Sequence, residues 1–381
     1  MTGIVTATSL NLRSKPTIES LPIAVLRSGT SVTILQQDAD WFRVSTGAGI
    51  GFLSAEFVKL DPATADAAAA PAVPLAAVQP SAMPPRDDGT ITTDDDHAFA
   101  PDGLIFAYRS PRGFHTSGAT SLNTYLATAG ASVAAMPPSK LRVVQAVSLN
   151  EGNLEAINSY DNSFMSFGLF QWTAGAAGDP GELAGLMDRI KRRDEDRFRE
   201  YFRSFDLDAV ITHAGKLNVG FLMLKGNRLD SPEAKAPLRE AEWAYRFWRA
   251  AHDDTVRICQ IELALARIDA FYDESITVLA GGTTRTVNQY ITSEFGVSLL
   301  LDEHVNRPGH VPDTLEKGIL DYVSDTHRAD PATWTTDDER NVIQAYIRIR
   351  NETNMTGSQK RAEKIAQDGH VSTQRGSFVR S

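Results

Sequence analysis

The sequence predicts a multidomain chain in which a small all-β domain is followed by a mainly α-helical domain. Residues 1–60 carry short alternating runs separated by turn signals, which is typical of half-buried strands in a small barrel. From about residue 99 onward, apolar residues recur at helical spacing. The 381 residues exceed what one compact domain usually holds. We therefore expect domains at residues 1–60 and 99–381, joined by a linker over residues 61–98.

The amino-terminal strands are predicted from the runs GIVTAT, SVTILQQ and WFRVST, which are separated by turn signals such as RSGT and TGAGIG. Alternation places every second side chain on the buried face of a strand. The expected core residues are Val5, Leu12, Val25, Val32, Ile34, Trp41, Val44 and Phe52.

The expected linker differs in composition from both domains. Residues 61–98 contain six prolines, runs of alanine and the stretch DDGTITTDDDH, but no aromatic residue. Such a segment cannot bury enough apolar surface to offset its chain entropy, so we predict a flexible tether.

Helix start signals recur in the larger domain. Asp179 before Pro180, Ser231 before Pro232, and Thr336 with Glu339 are each predicted to cap a helix. Two apolar stretches, TVRICQIELALARIDAFY and TVNQYITSEFGVSLLL, are predicted to be buried helices. We find no repeat and no long alternating run here, so this domain is expected to be predominantly α.

One helix end carries the residues with the clearest chemical potential. PPSKLRVVQAVSLNEG is predicted to be a helix with Ser139 as its N-cap and Gly152 as its stop. Glu151 then lies in the last turn, on the same face as Val144. The negative helix end and apolar neighbours both raise the pKa of such a carboxyl, as a general acid requires. Glu155, about one turn further on, is the fallback acid if the helix does not stop at Gly152.

A polar and aromatic stretch follows Glu151. INSYDNSFMS is suited to a loop or short hairpin and contains Asp161, a second candidate carboxylate. SFGLFQW then supplies Gln171, whose amide can both donate to and accept from sugar hydroxyls.

A glutamate, a polar loop and then G-L-F-Q resembles the signature of goose-type lysozymes and lytic transglycosylases, members of the lysozyme-like superfamily. Glu151 stands at the family's acid position, and Gly168 to Gln171 match its G-L-M-Q segment with Phe170 in place of Met. The resemblance implies that Asp161 positions a water molecule. A further aspartate of the lysozymes is replaced by Thr173, which departs from the lysozyme carboxylate set.

The first 60 residues resemble the bacterial SH3-like domain over nearly their whole length. The resemblance is carried by NLR in the first loop, by GTSVTIL, by DWFRV and by the closing GFLSAEFVKL. It implies either binding of cell-wall peptides or the role of a plain spacer or docking module.

Composition excludes several function classes. The net charge of −10 argues against a binder of nucleic-acid backbones or of anionic membranes. No stretch is long and apolar enough for membrane insertion, and the eight histidines lack ligand spacing, so neither a metal nor another cofactor is expected. The single cysteine, Cys259, is expected to be an inert buried thiol.

The leading hypothesis is an enzyme that cleaves the β-1,4 bond between N-acetylmuramic acid and N-acetylglucosamine in bacterial peptidoglycan. It would be a muramidase or a lytic transglycosylase, and cleavage of chitin or chitosan by the same acid is a third interpretation. Glu151 would be the general acid and Asp161 the water holder. The candidate substrate-binding residues are Tyr160, Ser166, Phe167, Gln171 and Trp172, with Phe167 equally suited to the core.

The alternative is a non-catalytic wall-binding or structural component of a phage tail or contractile injection device. The first residues have no basic stretch followed by an apolar one, so we expect no signal peptide. We therefore expect synthesis in the cytoplasm and action on the wall after release, or after docking to and delivery by a phage or injection-system particle.

Overall fold

The structure is a computed structural model that describes residues 2–13, 22–38, 41–46, 49–60, 90–278 and 283–381. The chain divides into two compact units, Met1–Val78 and Gln79–Ser381. Most of the predicted linker, residues 61–89, lies outside the described residues. Its last residues belong to the larger unit, because residues 92–93 and 97–99 form strands there, so the predicted end of the linker at residue 98 is wrong.

The first unit contains an antiparallel sheet of seven described strands in the order β3-β2-β6-β5-β4-β1-β7. The strands are β1 Thr2–Val5, β2 Ser9–Arg13, β3 Pro22–Arg27, β4 Ser31–Asp38, β5 Trp41–Thr46, β6 Gly49–Ser54 and β7 Val58–Leu60. The predicted all-β fold of this unit is confirmed.

The core of this unit corrects part of the sequence prediction. Val5, Leu12, Val32, Ile34 and Val44 are buried as expected. Val25, however, is 57% exposed, and Trp41 and Phe52 are only half-buried. Because side chains alternate between the two faces of a strand, Val44 shares its face with Phe42 and cannot share it with Trp41. Leu26, Phe42 and Leu53 take the core places assigned to their neighbours.

The larger unit begins with an antiparallel sheet whose strand order is β14-β13-β12-β11-β10-β9-β8. Its strands are β8 Thr92–Thr93, β9 His97–Phe99, β10 Ile105–Ser110, β11 Gly113–Thr116, β12 Ile157–Asn158, β13 Ser166–Phe167 and β14 Trp172–Thr173. Three helices are inserted between β11 and β12: α1 Leu122–Leu126, α2 Ala131–Ala134 and α3 Pro138–Ser148. The chain therefore returns from α3 directly into the sheet, and the return carries Glu151.

Helices make up most of the remaining chain, which confirms the predicted helical region. They are α4 Glu182–Arg193, α5 Glu195–Tyr201, α6 Pro232–Lys235, α7 Ala241–Ala250, α8 Asp254–Tyr272, α9 Val287–Tyr290, α10 Glu294–Asn306, α11 Val311–Thr326, α12 Thr336–Asn351 and α13 Ser358–Asp368. Helix α8 is buried along most of its length and packs against α3, α4 and α10.

Strands also occur where the sequence predicted none. They are β15 Leu207–His213, β16 Val219–Leu224 and β17 Asn227–Arg228, which form one antiparallel sheet, and β18 Ser275–Val278 and β19 Thr283–Thr286, which form a hairpin. The predicted helix TVNQYITSEFGVSLLL is accordingly divided among β19, α9 and α10.

The helix starts differ from the predicted ones in detail. Ser231 caps α6 as expected, by accepting the N–H of Ala234 at 3.2 Å. Helix α4, in contrast, begins after Gly181 without a side-chain cap, so the Asp179 prediction is wrong. Helix α12 is capped one residue early by Thr335, which forms a capping box with Asp338.

Candidate functional site

Residues 149–173, called here the Glu151 segment, connect the end of α3 to the first sheet of the larger unit. Helix α3 ends at Ser148, and the N–H of Glu151 donates to the carbonyl of Ser148 at 3.1 Å. The predicted N-cap, Ser139, is instead buried in the first turn, where its hydroxyl donates to Glu294 at 2.6 Å. Glu151 thus lies just beyond the negative end of α3, so the prediction that the helix continues to Gly152 with Glu151 in its last turn is wrong.

The Glu151 carboxylate faces the carboxy-terminal part of the chain. It forms an ion pair with Arg361 of α13, and the two side chains are 12% and 16% exposed. Arg361 also pairs with Asp302 of α10 at 2.6 Å and donates to the carbonyl of Asn150 at 3.1 Å. Asp302 is fully buried and is also bound at 3.1 Å by the equally buried Arg350.

Burial is the largest influence on Glu151 and raises the pKa of its carboxyl. The charge and hydrogen bond of Arg361 act in the opposite direction, whereas the negative Asp302 raises the pKa further. The net shift is upward. Arg267 of α8, which pairs with Glu182, is buried, and burial lowers its pKa to about 10, while the charge of Glu151 acts to raise it. A carboxyl in this setting holds its proton closer to neutral pH than an exposed glutamate does.

Glu155 is held very differently. It is 1% exposed, and one carboxylate oxygen accepts the N–H groups of Ala119 and Thr120 at 3.0 and 2.8 Å. The other oxygen binds Arg257 of α8 at 2.7 Å. Because both oxygens have fixed partners in the interior, Glu155 ties the Glu151 segment to α8, and the structure does not favour it as the acid.

Asp161 lies in the turn between β12 and β13, which confirms the predicted hairpin. Its two carboxylate oxygens accept from the side-chain amide of Asn158 at 3.0 Å and from the N–H of Ser163 at 2.8 Å. Arg239 holds the backbone of the same turn by donating to the carbonyls of Ser159 and Asp161. The two candidate carboxylates are therefore held by different parts of the fold.

Gln171 lies beside Gly152, the residue after Glu151. Its side-chain amide donates to the carbonyls of Ala156 and Gly168 at 3.2 and 3.0 Å. A Cβ placed on Gly152 would stand 3.3 Å from this amide nitrogen. Gln171 also has a φ of 50°, in the left-handed region that residues other than glycine seldom adopt. The role of Gln171 as a substrate contact stays a prediction.

The fold requires glycine at the first position of the G-L-F-Q motif. Gly168 has a φ of 77°, and a Cβ there would come within 2.3 Å of the side-chain oxygen of Gln260 in α8. That oxygen accepts the N–H of Leu169 at 2.9 Å, while the Gln260 amide donates to the carbonyl of Leu154 at 3.1 Å. One buried glutamine therefore joins two separate parts of the Glu151 segment.

Three predicted groove residues lie in the core instead. Ser166 is 4% exposed, Trp172 is 1% exposed, and Phe167 is fully buried with its ring 5.2 Å from that of Phe247. Both residues of β13, Ser166 and Phe167, are buried. The prediction of a groove position is wrong for Ser166 and Trp172, whereas Phe167 takes the core position that the sequence left equally open. Thr173 is half-buried, and its hydroxyl accepts the N–H of Gly175.

Tyr160 is the predicted contact residue that remains accessible, with 38% of its surface exposed. The centre of its ring is 5.6 Å from that of His115. The His115 ring is in turn 5.9 Å from the Tyr108 ring, and the Tyr108 ring is 5.5 Å from the His97 ring. The row continues to Phe99, 6.0 Å from His97. We call these five residues the aromatic row. Tyr108 pairs in register with both His97 and His115, so the row crosses the sheet on one face.

Sequence reasoning missed the partners of Glu151 and most of the aromatic row. Arg361 is 210 residues from Glu151 along the chain, and no local pattern marks it. The row could have been anticipated from the alternation of His97 with Phe99 and from the motif GFHT of β11.

In the part of the chain that the structure describes, no group of histidine, cysteine and acidic residues could hold a metal ion. Among the same residues, no helix is long and apolar enough to cross a membrane.

Comparison with known proteins identifies a family for one part of the chain. Residues 8–59 match the sequence family described as bacterial SH3 domain. Neither the curated proteins nor the solved structures contain a match to the chain. The amino-terminal unit, with its seven described strands and one apolar core, therefore contains a bacterial SH3 domain.

Proposed function

We propose that the larger unit cleaves the glycan strand of peptidoglycan at the β-1,4 bond that follows N-acetylmuramic acid, with Glu151 as the general acid. The observation that carries the proposal is the position of Glu151. It follows the carboxyl end of α3, is 12% exposed, has a raised pKa, and precedes Gly152, which lies beside Gln171. A raised pKa favours the protonated form of the carboxyl, which is the form that can donate a proton to a glycosidic oxygen.

Two routes can follow protonation. In hydrolysis, a water held by a second carboxylate attacks the sugar, and the two carboxyl groups of inverting enzymes stand about 6.5–9.5 Å apart. In the other route, Glu151 removes the proton from the sugar's own 6-hydroxyl. That oxygen then bonds to C1 as the C1–O4 bond breaks, which yields a 1,6-anhydro end without consuming water.

The contacts of Asp161 favour the second route. Both of its carboxylate oxygens accept hydrogen bonds from its own turn, so they are already used in holding the hairpin. The anhydro route needs Glu151 alone. A lytic transglycosylase is thus the better-supported form of the proposal.

Substrate entry requires a local rearrangement. Arg361 occupies the position beside Glu151 where a sugar oxygen would have to come. We expect the substrate to displace Arg361, which can keep its pair with Asp302. Removal of the arginine from Glu151 would raise the pKa of the acid at the moment when its proton is needed.

The aromatic row supports a glycan substrate. Tyrosine and histidine rings offer an apolar face for the C–H groups of a sugar and a polar edge for its hydroxyls. The row ends at Tyr160, in the same segment as the proposed acid.

The bacterial SH3 domain is proposed to bind wall peptides and so to hold the enzyme at its substrate, although a spacer role would leave the catalytic proposal unchanged. We further propose that the protein is made in the cytoplasm and reaches the wall by release or by a delivery particle. The net charge of −10 provides no general attraction to acidic wall polymers, so specific pockets would have to supply it.

A second candidate function is a non-catalytic component that binds the wall, for example in a phage tail or a contractile injection device. The ion pair between Glu151 and Arg361 favours it, because a carboxylate permanently paired with arginine is an ineffective acid.

Mass spectrometry of purified peptidoglycan, incubated with the wild type and with Glu151→Gln, tests these proposals. Anhydro muropeptides from the wild type alone would support the transglycosylase, and reducing muropeptides would support a muramidase. Equal products from both proteins would contradict the role of Glu151. Absence of products from both would favour the non-catalytic component.

A further inference from the structure

A cavity of about 360 Å³ lies in the larger unit, away from the Glu151 segment. It is bounded by the last turns of α4, by the turn between β15 and β16, and by the middle of α8. Gly185 of α4 allows the wall to form, because a Cβ there would come within 2.1 Å of the carbonyl oxygen of Asn218 in the turn. The hairpin turn is thereby fixed close against α4.

The cavity is positively charged within an acidic protein. Four cationic side chains line it, whereas only two carboxylates do, in a chain with a net charge of −10. The cations are Arg189, Arg192, Arg193 and Lys216, and the carboxylates are Asp188 and Glu262. The cavity therefore carries an excess of positive charge that an anionic ligand would neutralise.

The ion pairs within the protein do not neutralise all of this positive charge, so part of it is available to a ligand. Arg189 and Arg193 share one carboxylate, Glu262, at 3.3 and 2.6 Å. Lys216 is 3.7 Å from Asp273, which is already bound at 2.6 and 2.7 Å by Arg380. With 35–57% of their side chains exposed, Arg189, Arg193 and Lys216 can turn toward a ligand without breaking a buried network.

The two carboxylates that line the cavity indicate a ligand that carries hydrogen-bond donors as well as negative charge. Asp188, which is 17% exposed and 2.9 Å from Arg192, and Glu262, which is 29% exposed, can accept hydrogen bonds from a ligand's N–H groups or ammonium. A phosphate chain has acceptors alone and would place like charge against both carboxylates. A cavity of this volume is at the small end of ligand sites, which suits one or two amino-acid residues.

We propose that this cavity binds a short acidic peptide through its free carboxylates, with the guanidinium groups of Arg189 and Arg193 and the ammonium of Lys216 as anchors. Arginine suits this role because its planar fork matches the geometry of a carboxylate. The peptide class follows from the charges of the cavity. Its identification with the stem peptide of peptidoglycan rests on the proposed function.

The proposal is tested by calorimetric titration of the full chain with L-alanyl-D-glutamate, which combines two carboxylates with an ammonium and an amide N–H. We expect saturable binding that weakens with added salt, and no binding of the same dipeptide with both carboxyl groups amidated. Arg189→Gln combined with Arg193→Gln should weaken binding by about tenfold or more, and Lys216→Gln by about threefold.

The matched control is the pair Arg340→Gln and Arg348→Gln on α12, which removes two exposed, ion-paired arginines outside the cavity and should leave binding unchanged. Equal binding by the cavity variants and the wild type, or no saturation by the wild type, would overturn the proposal. Inorganic phosphate that binds as tightly as the dipeptide would also overturn it, in favour of a phosphate ligand.

Glu151→Gln should bind the dipeptide as the wild type does. That result would stand even if neither protein cleaved peptidoglycan, so failure of the proposed catalytic function and failure of the peptide site can be told apart.

Discussion

Glu151 and Glu155 are four residues apart in one segment, yet their surroundings are opposite in kind. Glu155 is enclosed, and its partners are two backbone N–H groups and one buried arginine. Glu151 is partly accessible and shares its main partner, Arg361, with Asp302. The first arrangement uses charge to hold the fold together. The second leaves the pKa of the carboxyl dependent on its contact with Arg361, and the proposed acid catalysis would require the substrate to exchange that contact.

The largest expected effect comes from Glu151→Gln, which should lower glycan cleavage by about 10²–10⁴-fold because the amide cannot donate the required proton. The unfolding midpoint should stay close to that of the wild type, since Arg361 retains Asp302 as a partner. Muropeptide release and thermal unfolding measure the two effects. Wild-type turnover by this variant would remove Glu151 from the mechanism.

Glu155→Gln should mainly lower the stability of the protein, whereas Glu151→Gln should mainly lower its activity. It leaves Arg257, which is 4% exposed, without its counter-charge, and loss of one partner of a buried ion pair costs about 3–5 kcal/mol. Urea unfolding measures this change in the free energy of unfolding. Glu352→Gln, at an exposed position of the C-cap of α12, is the control and should change stability by less than about 0.5 kcal/mol. A Glu155 variant as stable as this control would refute the structural role.

Asp161→Asn distinguishes the two catalytic routes. A hydrolase that relies on Asp161 to hold water should be slowed severely, whereas a transglycosylase should keep nearly its full rate, since its nucleophile belongs to the substrate. The contacts of Asp161 within its turn lead us to expect the smaller effect. Rates of muropeptide release decide between them, and Asn158→Ala reports what loosening of the same turn does by itself.

Arg361→Leu should shift the pH dependence of cleavage. Arg361 lowers the pKa of Glu151, so its removal raises that pKa further and Glu151 stays protonated to higher pH. The alkaline limb of kcat/KM should therefore move to higher pH. Arg361→Lys retains the charge and should leave the limb near its original position, and Arg348→Leu, on the exposed side of α12, is the remote control. An unmoved limb in Arg361→Leu would show that the ion pair does not tune the acid.

Tyr108→Ala should give the smallest effect. Its ring lies between those of His97 and His115, at 5.5 and 5.9 Å, and is 39% exposed. Loss of one stacking ring should raise KM by about three- to tenfold with kcat nearly unchanged. Tyr108→Phe keeps the ring and should behave as the wild type does. A KM that is the same in both variants would exclude the aromatic row from substrate binding.

Sequence patterns predicted the elements whose formation depends on residues close together in the chain. Alternation identified the amino-terminal strands, and the family match at residues 8–59 agrees with that interpretation. The Pro232 start of α6 and the buried helix α8 were likewise readable from capping residues and apolar spacing. Which of two adjacent aromatic residues faces the core, as with Trp41 and Phe42, was not readable, because both suit a strand and only the pairing register selects between them.

Residue patterns alone predicted that Glu151 lies near a helix end and that a loop or short hairpin and then a glutamine follow it, since caps, turns and periodicity act over a few residues. Contacts between distant parts of the chain, in contrast, place Arg361 and Asp302 near the Glu151 carboxylate, pair Glu155 with Arg257, and bury Phe167 and Trp172. The physical reason is that pKa values and burial depend on distance in space. Residues 210 positions apart along the chain have no local signal of their contact.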